Sequence, residues 1–295
     1  MTPSRAREIP FSARDRRTGH LLAAPAGVLL FGVALFPILF AAWLSLHRII
    51  LVLRERRFVG LANYGFLLDD PRFWTALGNT AYFAVFSVTA EIALGLAFAH
   101  LLVSAAPGQR LLRATILIPW AIPAAVSGKI WAWLFNPEYG LITRLGPGTI
   151  NWLGTPGYAM PAAIVVDVWK TVPFVTLLVF ASLLRIPEDL YRAAQLDGAS
   201  SWRIFRSITL PLLKPTLAVV LVLRTLDAFR VFDAIYVLTA GGPANTTETL
   251  AIYTYKTLMD SGDFGYGSTL AIATFLCVLG VSLVYLRLLG PEGRG

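Results

Sequence analysis

Charge is scarce in this sequence. Of 295 residues, 14% are Asp, Glu, Lys or Arg and 56% are hydrophobic. Soluble domains carry about 25% charged residues. A pair of ordinary water-soluble domains is therefore disfavoured, and a chain of several membrane helices is implied. A single cysteine, Cys277, excludes an intrachain disulfide and a cysteine-based metal cluster. The three histidines, His20, His47 and His100, stand at the ends of apolar runs with no ligand spacing. A P-loop is missing as well. The nearest string, residues 123–130, has Pro123 for the first glycine and Ile130 for the Ser/Thr, inside an apolar run. The chain is not expected to bind ATP itself. G-x-S-x-G and H-E-x-x-H are also absent, so no enzyme chemistry is indicated.

What the chain has is apolar length. Its mean hydropathy is +0.66. Six runs, 21–46, 77–103, 115–135, 161–184, 215–238 and 267–289, are each near the ~20 residues that cross a bilayer core. The first exceeds the roughly 7–15 residues of a signal h-region, and no clear small-residue cleavage site follows it. Pro119 and Pro123 interrupt the third, as kinks that neighbouring helices can satisfy. The expected fold is all-α: a polytopic bundle of six transmembrane helices over residues 21–290. A basic tail, 1–20, precedes it and a short tail, 291–295, follows.

The net charge of +8 would suggest nucleic acid in a soluble protein, but in a membrane chain it sets orientation. With the N-terminus inside, the inner segments hold twice as many lysines and arginines as the outer ones. Arg48, Arg54, Arg56 and Arg57, all between runs one and two, break that trend.

Some charges lie within apolar runs. Arg224, Asp227, Arg230 and Asp233 recur every third position near the middle of the fifth run. Asp167 and Lys170 lie in the fourth, Glu91 in the second and Lys129 in the third. Each costs roughly 2.5–3.5 kcal/mol at the bilayer centre on insertion scales. Such residues must find partners or face a watery cavity. Two readings stand: pairs that hold helices together, favoured for Glu91 and Lys129, and a substrate pathway, favoured for Arg224, Asp227 and Lys170.

Between runs four and five lies a polar segment, 185–214. It contains Arg192-Ala193-Ala194-Gln195-Leu196-Asp197-Gly198 and, nine residues on, Ile208-Thr209-Leu210-Pro211. This resembles the E-A-A-x3-G-x9-I-x-L-P loop of permease subunits of binding-protein-dependent ABC importers. Ala193, Ala194, Gly198, Ile208, Leu210 and Pro211 keep the family spacing, and Arg192 replaces the usual glutamate. The phrases at 58–64, 70–74 and 241–245, and 224–233, resemble the maltose/trehalose-type carbohydrate permeases of that family.

The resemblance implies the type I importer permease fold in a bacterial or archaeal cytoplasmic membrane, with both termini cytoplasmic. It implies a sugar substrate, such as trehalose or maltose. It also implies a second permease subunit, two ATP-binding cassette subunits that bind ATP-Mg, and an extracytoplasmic solute-binding protein. No cofactor is expected on this chain. Arg192, Ala193, Ala194, Asp197, Gly198, Ile208, Leu210 and Pro211 would couple to the ATPase, with Arg192 meeting an acidic or neutral patch there. The family's sugar contacts fall on Lys170, Thr171, Phe174, Arg224, Asp227, Ala228 and Val231. A glycerol-phosphate-type permease, whose arginines would meet phosphate, is the alternative within the family. A proton-coupled carrier is the alternative outside it, but leaves the loop unexplained.

Overall fold

The apolar runs become helices, with ends set by particular residues. The computed structural model describes residues 18, 22, 24–29, 31–103, 109–145 and 150–289; the arginines of the 1–20 tail and the 291–295 tail lie outside them. Helix α1 spans Ala24–Ser45, with a wide turn at Phe31–Leu35. An antiparallel hairpin follows, β1 (His47–Ile50) with β2 (Glu55–Phe58). Then come α2 (Ala62–Asp69), α3 (Pro71–Val103), α4 (Gln109–Ala121), α5 (Ala124–Leu134), α6 (Leu141–Leu145) and α7 (Pro156–Leu183). The 185–214 segment holds α8 (Glu188–Leu196) and α9 (Ser201–Ile204). The rest is α10 (Leu210–Phe229), α11 (Asp233–Thr239), α12 (Leu250–Tyr255) and α13 (Phe264–Leu289).

Among the described residues five helices are long and apolar enough to cross a membrane, or six if α4 and α5 count as one span. That pair departs from the expected single kinked helix, because its halves meet at 105°. Pro123, extended at φ −56° and ψ 143°, starts α5. A proline lacks the N–H a continuous helix needs and keeps the residue before it out of helical geometry. Helix α3 starts six residues before its apolar run. Pro71 supplies a helical φ at its first position, and Asp70 caps it, accepting from the Arg72 N–H at 2.9 Å. Helix α10 ends at Phe229, short of the expected 238, and the chain resumes as α11. Arg224 and Asp227 therefore lie in its last two turns, not mid-span.

The hairpin is a second departure from an all-helical expectation. Four-residue strands carry too little periodicity to be read in sequence. Asn63 ties the hairpin to α1, its amide donating to the carbonyls of Ser45 (2.8 Å) and His47 (2.9 Å).

The core forms where α3, α7 and α10 pack on one another. Phe83, Val166, Val175, Val179, Leu213 and Val220 are fully buried. Helix α3 approaches α7 at Gly95, where a Cβ would stand 2.5 Å from Val175. At the hairpin end, the buried Glu248 accepts a bidentate pair from Arg72 (2.7 and 2.8 Å) and a bond from Lys256 (2.8 Å). Beside it, Asp70 accepts from the hydroxyls of Tyr253 (2.6 Å) and Tyr266 (2.5 Å). These contacts bind the start of α3 to α12 and α13.

Burial pushes the Glu248 carboxyl up, but Arg72 and Lys256 outweigh it and hold it below the ordinary glutamate range. A depressed folded pKa gives stability that is present above the unfolded pKa and lost as pH falls through the folded value. Glu248→Gln should therefore cost about 3 kcal/mol at neutral pH. The deficit should shrink below about pH 4, the unfolded glutamate range. Thermal melts in detergent across that pH range check this; equal melting temperatures at pH 7 would refute it.

Candidate functional site

Three helices place ionisable side chains at one point inside the bundle. Glu91 lies well inside α3, Asp167 inside α7, and Arg224 near the end of α10. Arg224 is buried, and its Nε and Nη2 donate to Glu91 at 2.6 and 2.9 Å. Nη2 also reaches Asp167 and Nη1 reaches Asp227, each at 3.4 Å. The Thr171 hydroxyl stands 2.7 Å from Glu91 and 2.6 Å from the Asp167 backbone carbonyl. The Ser87 hydroxyl stands 3.0 Å from Glu91 and 2.9 Å from Asp167. A hydroxyl has one proton, so it serves one of these carboxylates at a time. The accessible side is different. Asp227 is about half exposed, at 53%, and shares a 3.1 Å bond with the exposed Arg230.

The seven expected sugar contacts divide. Thr171, Arg224 and Asp227 join this cluster. Ala228 is buried in an apolar core, with Val231 packed partly against it. Phe174 stacks on Trp120, ring centroids 6.1 Å apart. Lys170 is half-buried and has no ion pair among the described residues, because the Asp167 carboxylate turns to Ser87 and Arg224 instead. Sequence reasoning missed Glu91 and Ser87 as the partners of this arginine. The Ser87–Glu91 spacing of four, an acid and a hydroxyl on one face of an apolar helix, carried the signal.

At the other end of the bundle, the 185–214 segment explains its own motif. Helix α8 ends in a Schellman motif: Ala199 N–H donates to Ala194 O at 2.9 Å, and Gly198 N–H to Gln195 O at 3.0 Å. The motif needs a left-handed residue four after Ala194, and Gly198 supplies it at φ +73°. Ser200 then caps α9 by accepting from the Arg203 N–H. Asp197 and Ala194 line a cleft of about 230 Å³ between the two pieces, with Arg203 and Ile208 opposite. Tyr191 contacts Thr209 at 3.3 Å, joining α8 to the base of α10, where Leu210 and Pro211 start the helix. Ala193 is exposed. Leu196 is 90% exposed, a bare apolar side chain at the tip.

Arg192 does not make this face basic. It pairs with Glu188 at 2.6 Å and Asp189 at 3.4 Å on its own helix. Within α8 two acids therefore stand against this one arginine.

Comparison with known proteins places this architecture. Residues 91–290 match the model of the binding-protein-dependent transport system inner membrane component. The chain belongs to that family. The permease is similar to the trehalose/maltose transport system permease protein MalF of Thermococcus litoralis, 45% identical over 278 residues, covering 93% of this chain and 94% of that one. It is similar to the trehalose transport system permease protein SugA of Mycobacterium tuberculosis, 39% identical over 282 residues, covering 95% and 91%. In fold it resembles a chain from the crystal structure of a bacterial ABC transporter involved in the import of the acidic polysaccharide alginate. The TM-score is 0.78 at 21% identity, covering 93% of this chain and 96% of that one. The permease thus has the type I importer fold.

Removing one partner of a buried ion pair strands the other, at about 3–5 kcal/mol. Glu91→Ala should therefore lower the amount of folded permease in membranes far more than Asp227→Asn, whose site is half open to solvent. Immunoblotting of membranes and detergent melts measure both. Wild-type abundance and melting of Glu91→Ala would show that the cluster does not hold the helices.

Proposed function

We propose that the chain is one permease subunit of an ATP-driven carbohydrate importer that translocates a disaccharide such as trehalose or maltose. The near full-length likeness to the trehalose/maltose permease of Thermococcus litoralis carries this reading. On it, a solute-binding protein delivers the sugar from outside. A second permease subunit completes the pathway, and two cassette subunits bind and hydrolyse ATP-Mg. This chain supplies no catalytic residue and holds no cofactor. Both termini and the 185–214 segment face the cytoplasm.

The site proposed for sugar comprises Lys170, Thr171, Phe174, Arg224, Asp227, Ala228 and Val231. The geometry supports dividing their roles. Arg224 spends its donors on carboxylates, so it fixes Asp227 more than it greets a ligand. Asp227 and Arg230 present an acceptor and a donor side by side, which suits sugar hydroxyls. Around them three carboxylates meet two guanidiniums. Lys170 balances the extra acid, so the preference for a sugar over the glycerol-phosphate alternative rests on the likeness to the trehalose/maltose permeases. Coupling runs through α8 and α9, which lie between the two helices that carry Asp167 and Arg224. The cleft at Ala194 and Asp197 and the exposed Leu196 fit a segment gripped by another protein, and the bundle then alternates access.

Two substitutions test the two halves of this reading. Asp227→Asn keeps hydrogen-bonding capacity but accepts more weakly. It should leave abundance intact and reduce uptake of labelled trehalose or maltose about tenfold, the effect of roughly 1.4 kcal/mol. Normal uptake at normal abundance would remove Asp227 from the site. Gly198→Asp should leave the permease inserted, since no atom lies within 4 Å of a Cβ there and the strain at φ +73° is confined to the turn, yet abolish transport. An assembled complex with wild-type sugar-stimulated ATP hydrolysis would rule out the coupling role.

A further inference from the structure

The arginines that break the charge rule stand beside a groove with an apolar floor. Rings form a ladder along one face of α1 and onto the hairpin. Phe36 stacks on Phe40 at 6.1 Å, Phe40 on Trp43 at 5.9 Å, Trp43 meets His47 at 4.2 Å, and His47 meets Phe58 at 5.2 Å. Arg56 lies over Trp43, 5.6 Å from the ring centre. Between this ladder and the hairpin runs a groove of about 480 Å³. Phe40, Trp43 and Leu44 form its floor, Ile49, Ile50 and Leu51 one wall, and Arg54, Glu55 and Arg56 its rim, where two arginines outnumber one carboxylate that is already paired with Arg48.

The depth of this groove identifies its surroundings. Phe40 lies five residues inside the end of a membrane-crossing helix, about 7–8 Å at 1.5 Å per residue. The hairpin tip borders the same groove, so it lies alongside the last turns of α1 and not out in water. The tip residues Leu51, Val52 and Leu53 are exposed and apolar, and their turn is held to Gly262 by a 3.0 Å bond from Leu51 N–H. An apolar tip with a tryptophan beside it suits the boundary between acyl chains and headgroups. Of the hairpin arginines, Arg48 pairs with Glu55 at 3.2 Å. Arg54, Arg56 and Arg57 have no ion pair among the described residues. Arginine matches phosphate oxygens with its planar fork, and its stem can lie on apolar surface while its head reaches the headgroup layer.

We propose that this groove holds an anionic phospholipid of the leaflet on the hairpin side. One acyl chain lies along Phe40 and Leu44, and the phosphate is bound by Arg54 and Arg56. The arginines are then retained against the orientation rule because they anchor the hairpin to the bilayer. The inference does not depend on which solute is carried.

Fluorescence quenching tests it on the full chain in phosphatidylcholine vesicles, with a minor fraction of brominated phosphatidylglycerol or of brominated phosphatidylcholine. Brominated phosphatidylglycerol should quench more, and Trp43→Phe should remove that excess. Arg54→Gln with Arg56→Gln should weaken the preference about tenfold or more, at ~1 kcal/mol per arginine near a charged surface. Arg54→Lys with Arg56→Lys should keep most of it, which separates lost charge from lost folding. Equal quenching by the two lipids in the wild type overturns the proposal. So does an excess that survives Trp43→Phe or the glutamine pair. An excess seen with the isolated chain but lost in the assembled transporter also overturns it, because protein then covers the groove.

Discussion

A guanidinium inside a bilayer has no water to turn to, and Arg224 answers with carboxylates from three helices. The bidentate bonds to Glu91 reach α3, the bond to Asp167 reaches α7, and Asp227 comes from α10 itself. The same three helices carry the apolar core around Val175, Val179 and Val220. Packing there is non-directional and would tolerate small adjustments. The ion cluster would not, because a buried charge without its partner costs several kcal/mol. The cluster therefore sets the register in which α10 lies against α3 and α7, and leaves Asp227 turned toward solvent with Arg230.

That placement bears on mechanism. Helices α7 and α10 flank the 185–214 segment, and both end at it. On the proposed reading, a displacement of α8 and α9 by the ATPase acts on α7 and α10 near Leu183 and Leu210. Asp167 and Arg224 lie about four turns from those ends, on the same continuous helices. The Tyr191–Thr209 contact and the Schellman turn at Gly198 keep the segment from absorbing the motion locally. Coupling of this kind needs no long chain of intermediaries, only two continuous helices with a loop at one end and ion pairs at the other.

Much of this was legible in the chain itself. Five of the six apolar runs foretold membrane-length helices, and the Ala193–Pro211 spacing is that of a helix, a tight turn and a second helix. The turn chemistry explains why: the glycine must stand four residues after the alanine whose carbonyl accepts the closing bond. What stayed hidden was pairing at a distance. Arg224 and Glu91 are 133 residues apart, and nothing in local periodicity joins them. Asp167 and Lys170 stand three residues apart, a spacing that permits pairing, yet a buried carboxylate goes to the donor that tertiary packing presents. Helix ends were misplaced where a capping residue lay outside the apolar run, as at Asp70, or where the chain left the helix within it, as at Arg230. The hairpin was invisible because four-residue strands between charged residues have no pattern that loops lack.

Three groups of arginines in this permease each meet their charge differently. In the bundle, Arg224 is saturated by acids of the same chain. On α8, Arg192 is neutralised by Glu188 and Asp189 in water, where such pairs add little to stability. On the hairpin, Arg54, Arg56 and Arg57 have no acid partner among the described residues, although Glu55 lies between them and bonds elsewhere. Their charge is directed neither at the core nor at the coupling face. It lies at the level where α1 leaves the membrane, beside tryptophan and exposed leucine, and the abundant anions at that level are phosphates of lipid. The departure from the orientation rule is then local chemistry at an interface, compatible with the orientation that the remaining charges favour.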